Sequence, residues 1–171
     1  MKQIKEKPIL LWKSMKSGLK SDSEDFQWKK GAWYKEENIE ICKRGFHASI
    51  RPAHAMGYVD CEILARVEVK GEAIKHDDKE CWSEMRIVKA YKWTEQDSVR
   101  LAVFAAELVI DIYEKKYPND KRPREAIEAA KNWVKHPNAA NAATYASSAA
   151  ERAEIRDKCD AFILKRIALK K

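Results

Sequence analysis

All five glycines of this chain lie before residue 72, and the long remainder, rich in alanine, contains none. Close to Thr94 the spacing of the hydrophobic residues also changes, from every second position to every third or fourth. The shorter spacing is typical of half-buried β-strands and the longer spacing of α-helices. We therefore predict an α+β fold, in which residues 1–93 form a mostly antiparallel sheet with a short helix and residues 94–171 form a three-helix bundle packed against it.

Short hydrophobic runs between turn residues mark the strands of the first region. The clearest alternation precedes and follows Gly71, where we expect a turn. Pro52 is suited to the first turn of a helix, so a short helix is expected there. The predicted strands cover 9–12, 39–42, 61–69 and 82–91, and the aromatic segment 27–34 suits a half-buried sheet face.

The second region begins with Thr94-Glu95-Gln96-Asp97, which has the pattern of a helix-capping box. Pro118 and Pro137 interrupt the helical periodicity that follows. The three predicted helices run from Thr94 to about Tyr117, from Asp120 to about Lys135, and from Asn138 to Ile167, with Ala142, Ala146, Ala149 and Ala153 forming a narrow face on the third.

The composition, with 45% hydrophobic and 36% charged residues, is that of a soluble globular chain. No apolar run approaches the roughly 18 residues that a membrane span needs, and the run at 8–11 is too short for a signal peptide. We therefore expect a cytoplasmic protein without membrane contact, whose four cysteines are reduced. The net charge of +7, spread over both regions, is compatible with an acidic protein or with nucleic acid as a partner.

Possible metal ligands occur in the first region at Cys42, His47, His54 and Cys61. Structural zinc sites bring their ligands in closely spaced pairs, and these four residues are too widely separated for that arrangement. We therefore predict no metal site. The ordinary interpretation of His47 is an imidazole that lies at a strand end and is hydrogen-bonded to the backbone.

Two resemblances follow from these motifs. Residues 9–93, with Cys42-Lys43-Arg44-Gly45-Phe46-His47-Ala48, resemble a phage and prophage domain of unknown function that has a Cys-x-x-Gly-Phe-His-Ala core. Residues 99–150, with the stretch Lys121 to Trp133, resemble the helical region of immunity-protein-five-like proteins of bacterial toxin systems. The resemblances imply an accessory protein of a phage or mobile element, acting in the cytoplasm of a bacterial host, and no settled reaction.

The Gly-Phe-His-Ala-Ser segment is also distantly similar to the split-sheet layout of ADP-ribosyltransferases. That similarity implies NAD as cofactor, with His47 holding the nicotinamide ribose, Tyr58 stacking on nicotinamide and Glu84 stabilising the cation that develops during bond cleavage. Lys13 stands where many members of those families carry Arg. Tyr58 is equally compatible with a helix-end core residue, and Glu84 with a solvated side chain.

Because the chain contains no complete catalytic signature, we predict a non-enzymatic protein-binding module that acts on a defence-related or toxin-related host component and needs no cofactor. Tryptophan and arginine supply most of the binding energy in protein interfaces, which makes Trp28, Trp33, Arg122 and Arg124 the candidate contacts. Lys29 and Lys30 beside the two tryptophans could instead form a nucleic-acid surface. Self-association is a further alternative.

Overall fold

A long antiparallel hairpin, predicted from the hydrophobic alternation around Gly71, forms the centre of the sheet. The computed structural model describes residues 7–22, 26–137 and 153–170, with the backbone alone at 153–156. The chain divides into two compact units, Met1–Trp93 and Thr94–Lys171. The first contains β1 (Ile9–Met15), β2 (Tyr34–Lys35), β3 (Phe46–Ala48), α1 (Pro52–Met56), β4 (Ile63–Lys75) and β5 (Glu80–Lys92). The second contains α2 (Glu95–Glu107), α3 (Ile110–Lys116), α4 (Arg122–Lys135) and α5 (Ala153–Ala168).

The hairpin of β4 and β5 is longer than predicted, because the chain does not turn at Gly71. Gly71 lies inside β4 at a shift of the pairing register between Lys70 and Ala73. Its φ of 82° is in the left-handed region, and a Cβ atom there would lie 2.3 Å from the Ser83 hydroxyl. Glycine is thus needed for a β-bulge rather than for a turn. The turn follows at residues 76–79, where the His76 N–H donates to the Lys79 carbonyl.

The pairing of the strands runs in a closed circuit. β1 pairs with β4, β4 with β5, and β5 with β3, in each case antiparallel. Directly after β3, Ser49 exchanges two backbone hydrogen bonds of 2.8 Å with Trp12 of β1. This bridge returns the circuit to its first strand and places β3 beside β1.

The inner face of the circuit is filled by apolar side chains at alternate strand positions. Trp28 is 3% exposed and packs edge-on against Tyr34 and Phe46, with ring centres 4.9 and 5.3 Å apart. Edge-to-face contacts of this kind add about 0.5–1.5 kcal/mol to the burial itself. The buried members of this core are Leu11, Met15, Trp28, Ala48, Ala65, Val67, Val69, Trp82, Met85 and Ile87.

Two predicted segments of sheet are wrong. Residues 27–34 form a loop that turns at Gly31, whose φ is 82°, and regular pairing begins only at Tyr34. Residues 39–42 enter a tight turn, because the Arg44 N–H donates to the Glu40 carbonyl at 2.8 Å and closes the chain on itself. Local turn hydrogen bonds thus outweigh the strand propensity of the two isoleucines in that segment.

The helical unit begins at the predicted capping box. The Thr94 hydroxyl accepts from the Asp97 N–H, and the Asp97 carboxylate accepts from the Thr94 N–H. α2, α3 and α4 share a core of Val99, Val103, Ile110, Ile127, Ala130 and Trp133. On α5 the buried side chains are Cys159, Ile163 and Ile167, and each such isoleucine contributes about 1.5–3 kcal/mol by its burial. The α+β fold class is confirmed.

The predicted first helix is interrupted and forms α2 and α3. Val109 leaves the helical region with φ −125° and ψ −10°. Val109 and Ile110 are adjacent β-branched residues, whose restricted side chains lower helix propensity. The part of the third predicted helix at 138–152, including Ala142, Ala146 and Ala149, lies outside the described residues.

Asp97 is a buried, ionised side chain of the helical unit that has several charged partners. It is 1% exposed, and its carboxylate accepts hydrogen bonds from Arg166 at 2.6 and 3.2 Å and from the Lys170 ammonium. Burial alone would raise the pKa of Asp97, but the bonds from Lys170, Arg166 and Thr94 hold it below its usual range. The same carboxylate therefore caps α2 and ties α5 to it.

Candidate functional site

A cavity of about 260 Å³ opens between β1, β3, α1 and the hairpin turn of the sheet unit. Its lining includes three lysines, a histidine and two aromatic rings. The lining residues are Trp12, Lys13, Ser14, Cys42, Lys43, Gly45, His47, Ala48, Ser49, Ala55, Tyr58, Val59 and Lys79. Among these described residues there is no Asp or Glu, so the cavity favours anions over cations.

Gly45 directly precedes β3 and lines this cavity with it. Its φ of 106° is in the region that L side chains rarely adopt, and an added Cβ would lie 2.6 Å from the Cys81 sulfur. The Cys81 thiol donates to the Arg44 carbonyl at 3.2 Å, which holds the segment before β3 against β5. The glycine of the Gly-Phe-His segment therefore has a steric reason that is independent of any chemistry.

His47 lies near two ammonium groups, whose charges favour the neutral form of its imidazole. Burial, followed by the charges of Lys13 and Lys79, lowers its pKa below the ordinary value. The Cys42 N–H donates to His47 Nε2 at 2.9 Å, so the proton of the neutral ring is on Nδ1. Cys42 can point its N–H at the ring because its φ is 65°. The acceptor position at Nε2 is therefore already occupied.

Lys13 is a half-buried cation on the inner face of β1. Its ammonium donates to the His47 carbonyl at 3.1 Å, and burial lowers its pKa to about 8. In the described part of the chain its ammonium forms no ion pair with a carboxylate. The ammonium also lies 5.8 Å from the centre of the Trp28 ring, whose face attracts cations.

Lys79 approaches the cavity from the hairpin turn. Its ammonium is 2.9 Å from the Cys42 sulfur and 4.6 Å from the centre of the Tyr58 ring. The Tyr58 hydroxyl donates to Asp78, and burial together with this bond raises the pKa of Tyr58 to about 12. Tyr58 is 45% exposed, so its ring can contact a ligand.

The three residues named for ADP-ribosyl transfer are not all brought together. His47 and Tyr58 line the same cavity. Glu84 is not among the lining residues, and its carboxylate pairs with the Lys70 ammonium at 3.0 Å.

The sequence-predicted contact residues of the sheet unit differ in their exposure. Trp28 belongs to the core, where its indole N–H donates to the Ser21 hydroxyl at 2.8 Å. Trp33 is 36% exposed, and the cations of Lys70 and Arg86 lie 4.4 and 4.9 Å from its ring. Lys29 and Lys30 are exposed in the loop that precedes it.

The two sequence-predicted arginines lie at the start of α4. Arg122 is exposed, and its guanidinium donates to both carboxylate oxygens of Asp120 at 2.9 and 2.7 Å. Arg124 donates to both oxygens of Glu114 at 2.9 and 2.6 Å and thereby ties α4 to α3. A shallow groove of about 500 Å³ adjoins Arg122 and is lined by Lys116, Tyr117, Pro118, Asn119, Asp120 and Arg122, which we call the α3–α4 corner.

The four residues considered as metal ligands are not brought together into one group. No group of three or more His, Cys, Asp or Glu side chains suited to a metal ion occurs in the described ranges. Cys42 and His47 belong to the cavity, whereas His54 on α1 has a buried Nε2 without a hydrogen-bond partner among the described residues. No described helix is both long and apolar enough to span a membrane.

Sequence reasoning missed the roles of Lys79 and the Cys42 backbone, and it noted Lys13 only as standing where many ADP-ribosyltransferase families carry Arg. One signal was available for Lys13, which alternates with Leu11 and Met15 and therefore shares the core face of its strand. No local signal marks Lys79 or the left-handed Cys42, because both depend on how distant strands meet.

Two known protein families match the chain, and their matched ranges follow its two compact units. Residues 92–167 match the family described as "Imm-5 like putative immunity protein". Searches of curated proteins and of solved structures found no significant match. Residues 9–98, more than half of the chain, match the family described as "Domain of unknown function (DUF7666)". The matches support the two-part resemblance, and the chain belongs to the DUF7666 family.

Proposed function

We propose that this protein is an accessory protein of a phage or mobile element that acts by binding a host protein connected with a toxin or defence system. The observation that carries the proposal is the match of residues 92–167 to an immunity-protein-like family. Immunity to a toxin is most simply achieved by occupying the surface of the toxin, which requires no catalytic group.

The α3–α4 corner is the binding surface that we propose for this partner. Tyr117 is 46% exposed there, with the Lys116 ammonium 5.3 Å from its ring. Arg122 is held in a fixed orientation by its two bonds to Asp120. A tyrosine and an ordered arginine on one exposed corner have the side-chain types that dominate interface energetics. Their basic surroundings, and the net charge of +7, suit an acidic partner surface.

Co-purification of the full-length chain from bacterial lysates, read by quantitative mass spectrometry, tests the proposal. Tyr117→Ala and Arg122→Ala should each lower recovery of the partner at least tenfold. Arg44→Ala is the matched control, because Arg44 is also exposed but belongs to the sheet unit. Equal recovery of the partner by all variants would contradict the α3–α4 corner as the binding surface. Failure to recover a specific partner from any toxin-encoding host would contradict the protein-binding function.

A second function, ADP-ribosyl transfer from NAD, is favoured by the common cavity of His47 and Tyr58. Release of nicotinamide from NAD by the purified chain is the measurement. Under this proposal His47→Ala and Tyr58→Ala each abolish the activity, whereas Glu72→Gln, an exposed change on β4, leaves it intact. Absence of nicotinamide release across a range of acceptor proteins would exclude it.

Nucleic-acid binding is a third candidate, favoured by the exposed Trp33 between two cations and by the nearby Lys29 and Lys30. Binding of a single-stranded oligonucleotide would weaken steeply with salt, because released counterions drive such association. Lys29→Ala should reduce that salt slope, whereas salt-independent or absent binding would exclude this function.

A further inference from the structure

We propose that the cavity of the sheet unit binds a phosphate-bearing small molecule, with the phosphate held between Lys13 and Lys79 and the organic part against the Tyr58 ring. This site is separate from the α3–α4 corner and goes beyond the protein-binding function.

The charge of the cavity is the first argument. Lys13 and Lys79 both line it, and neither forms an ion pair with a carboxylate within the described ranges. Elsewhere in the unit the lysines beside acidic residues are paired, as Lys70 is with Glu84 at 3.0 Å. An unbalanced positive charge in a partly dry cavity is costly unless an anion compensates it. The charge of Lys79 also acts on Asp78, but Asp78 is not among the lining residues. The lining itself therefore has no negative group, and a phosphate would supply one.

Unused hydrogen-bond donors are the second argument. An ammonium group has three N–H donors. The Lys13 ammonium uses one of them on the His47 carbonyl, and the Lys79 ammonium directs one at the Cys42 sulfur. The remaining donors match the several acceptor oxygens of a phosphate, which binds strongly to charged donors.

The position of His47 is the third argument, because both cations act on its imidazole. Besides burial, the charges of Lys13 and Lys79 each lower the pKa of His47, so the two ammonium groups lie near the same part of the lining. The neutral ring adds no charge of its own, and its Nε2 is occupied by the Cys42 N–H. His47 is thus a positioning residue whose carbonyl fixes Lys13.

The size and the walls of the cavity restrict the ligand. A volume of about 260 Å³ exceeds what an inorganic phosphate fills and leaves room for a small organic group. The Tyr58 ring is 45% exposed beside the Lys79 ammonium and offers a flat face. A planar base or sugar attached to the phosphate suits this face. The ligand class is therefore a phosphate monoester such as a mononucleotide.

Isothermal titration calorimetry on the full-length chain at pH 7 tests the proposal, with pyrophosphate, AMP and adenosine as probes. AMP should bind, pyrophosphate should compete with it, and adenosine should bind at least tenfold more weakly than AMP. Lys13→Met and Lys79→Met should each weaken AMP at least tenfold. Lys70→Met is the matched control and should bind like the wild type, since that ammonium is outside the cavity and also lies beside a tryptophan ring.

The pH dependence of AMP binding and the Lys79→Met variant distinguish loss of the binding site from loss of folding. Binding of AMP should weaken as pH rises from 7 to 9, because Lys13 loses its proton with a pKa of about 8. Lys79 comes from the hairpin turn, so Lys79→Met leaves the strand pairing intact and its circular dichroism should be that of the wild type. Equal affinity for AMP and adenosine, or undiminished binding by both variants, would overturn the proposal.

Discussion

In the sheet unit the Lys13 ammonium contacts a backbone carbonyl and no carboxylate partner is described for it, whereas in the helical unit the buried Asp97 carboxylate is bound by Arg166 and Lys170. Both units thus place an ionised side chain away from water, but only the second balances it within the described residues. A balanced buried charge fixes neighbouring elements in place. An unbalanced one leaves a site that is complete only with a ligand, and the phosphate-binding proposal follows from this difference.

Replacement of Asp97 should have the largest effect on stability. Asp97→Asn leaves Arg166 and Lys170 without their anion, and removing one partner of a buried pair costs about 3–5 kcal/mol. The free energy of unfolding, measured by urea denaturation at pH 7, should fall by that amount. Since the pKa of Asp97 is lowered in the folded state, the contribution is present above the unfolded value of about 3.9 and is lost as pH falls through the folded value.

Asp111→Asn is the control for this loss, because the Asp111 side chain is 89% exposed and forms a surface pair with Arg124. Its unfolding curve should match that of the wild type. An equally small effect of Asp97→Asn would remove the contrast between the two units.

Gly45→Ala should produce the next largest effect, and it tests the sheet unit on steric rather than electrostatic grounds. The added methyl meets the Cys81 sulfur at 2.6 Å, in a backbone conformation that L residues rarely adopt. Strain and overpacking together should cost about 3 kcal/mol. Gly18→Ala has a similar φ of 73° but nothing within 4 Å, so it should cost about 1 kcal/mol. Equal losses in the two variants would show that the contact with Cys81 is unimportant.

Thiol reactivity should distinguish the cavity from the two cores. Cys42 is exposed at the cavity, whereas Cys81 and Cys159 are buried and burial raises the pKa of both. Alkylation by iodoacetamide at pH 8, located by peptide mass spectrometry, should be at least tenfold faster at Cys42, because thiolates react and buried thiols are shielded. Comparable rates at Cys42 and Cys81 would mean that the sheet unit opens readily in solution.

Lys13→Met should have the smallest effect, and its sign is opposite to that of Asp97→Asn. Replacing an unbalanced half-buried cation by an apolar side chain should raise the free energy of unfolding at pH 7 by about 1 kcal/mol. The Lys13 pKa of about 8 lies below its ordinary value of 10.5, so the unfolded wild type binds more protons between these values. The free energy of unfolding of the wild type should therefore rise, relative to that of Lys13→Met, as pH increases between these two values. Urea denaturation curves of both proteins at pH 7 and pH 10 measure this difference. A destabilised variant at both pH values would mean that Lys13 is well compensated.

The sequence predicted those features that depend on near neighbours in the chain. The Thr94–Asp97 capping box and the α+β class follow from local pattern and are confirmed. The errors at Gly71 and at 39–42 arise because a glycine serves a bulge as well as it serves a turn, and because local turn bonds can replace strand pairing. The cavity could not be predicted, since it exists only where the Trp12–Ser49 bridge brings β3 beside β1.

The central claim is that the two units have separate tasks, with ligand binding in the sheet unit and partner binding in the helical unit. Quantitative co-purification of the partner by Lys79→Met and by Tyr117→Ala tests it most directly, because each change alters one of the two surfaces. The account predicts that Tyr117→Ala loses the partner and that Lys79→Met retains it at the wild-type level. Loss of the partner with Lys79→Met and retention with Tyr117→Ala would contradict it.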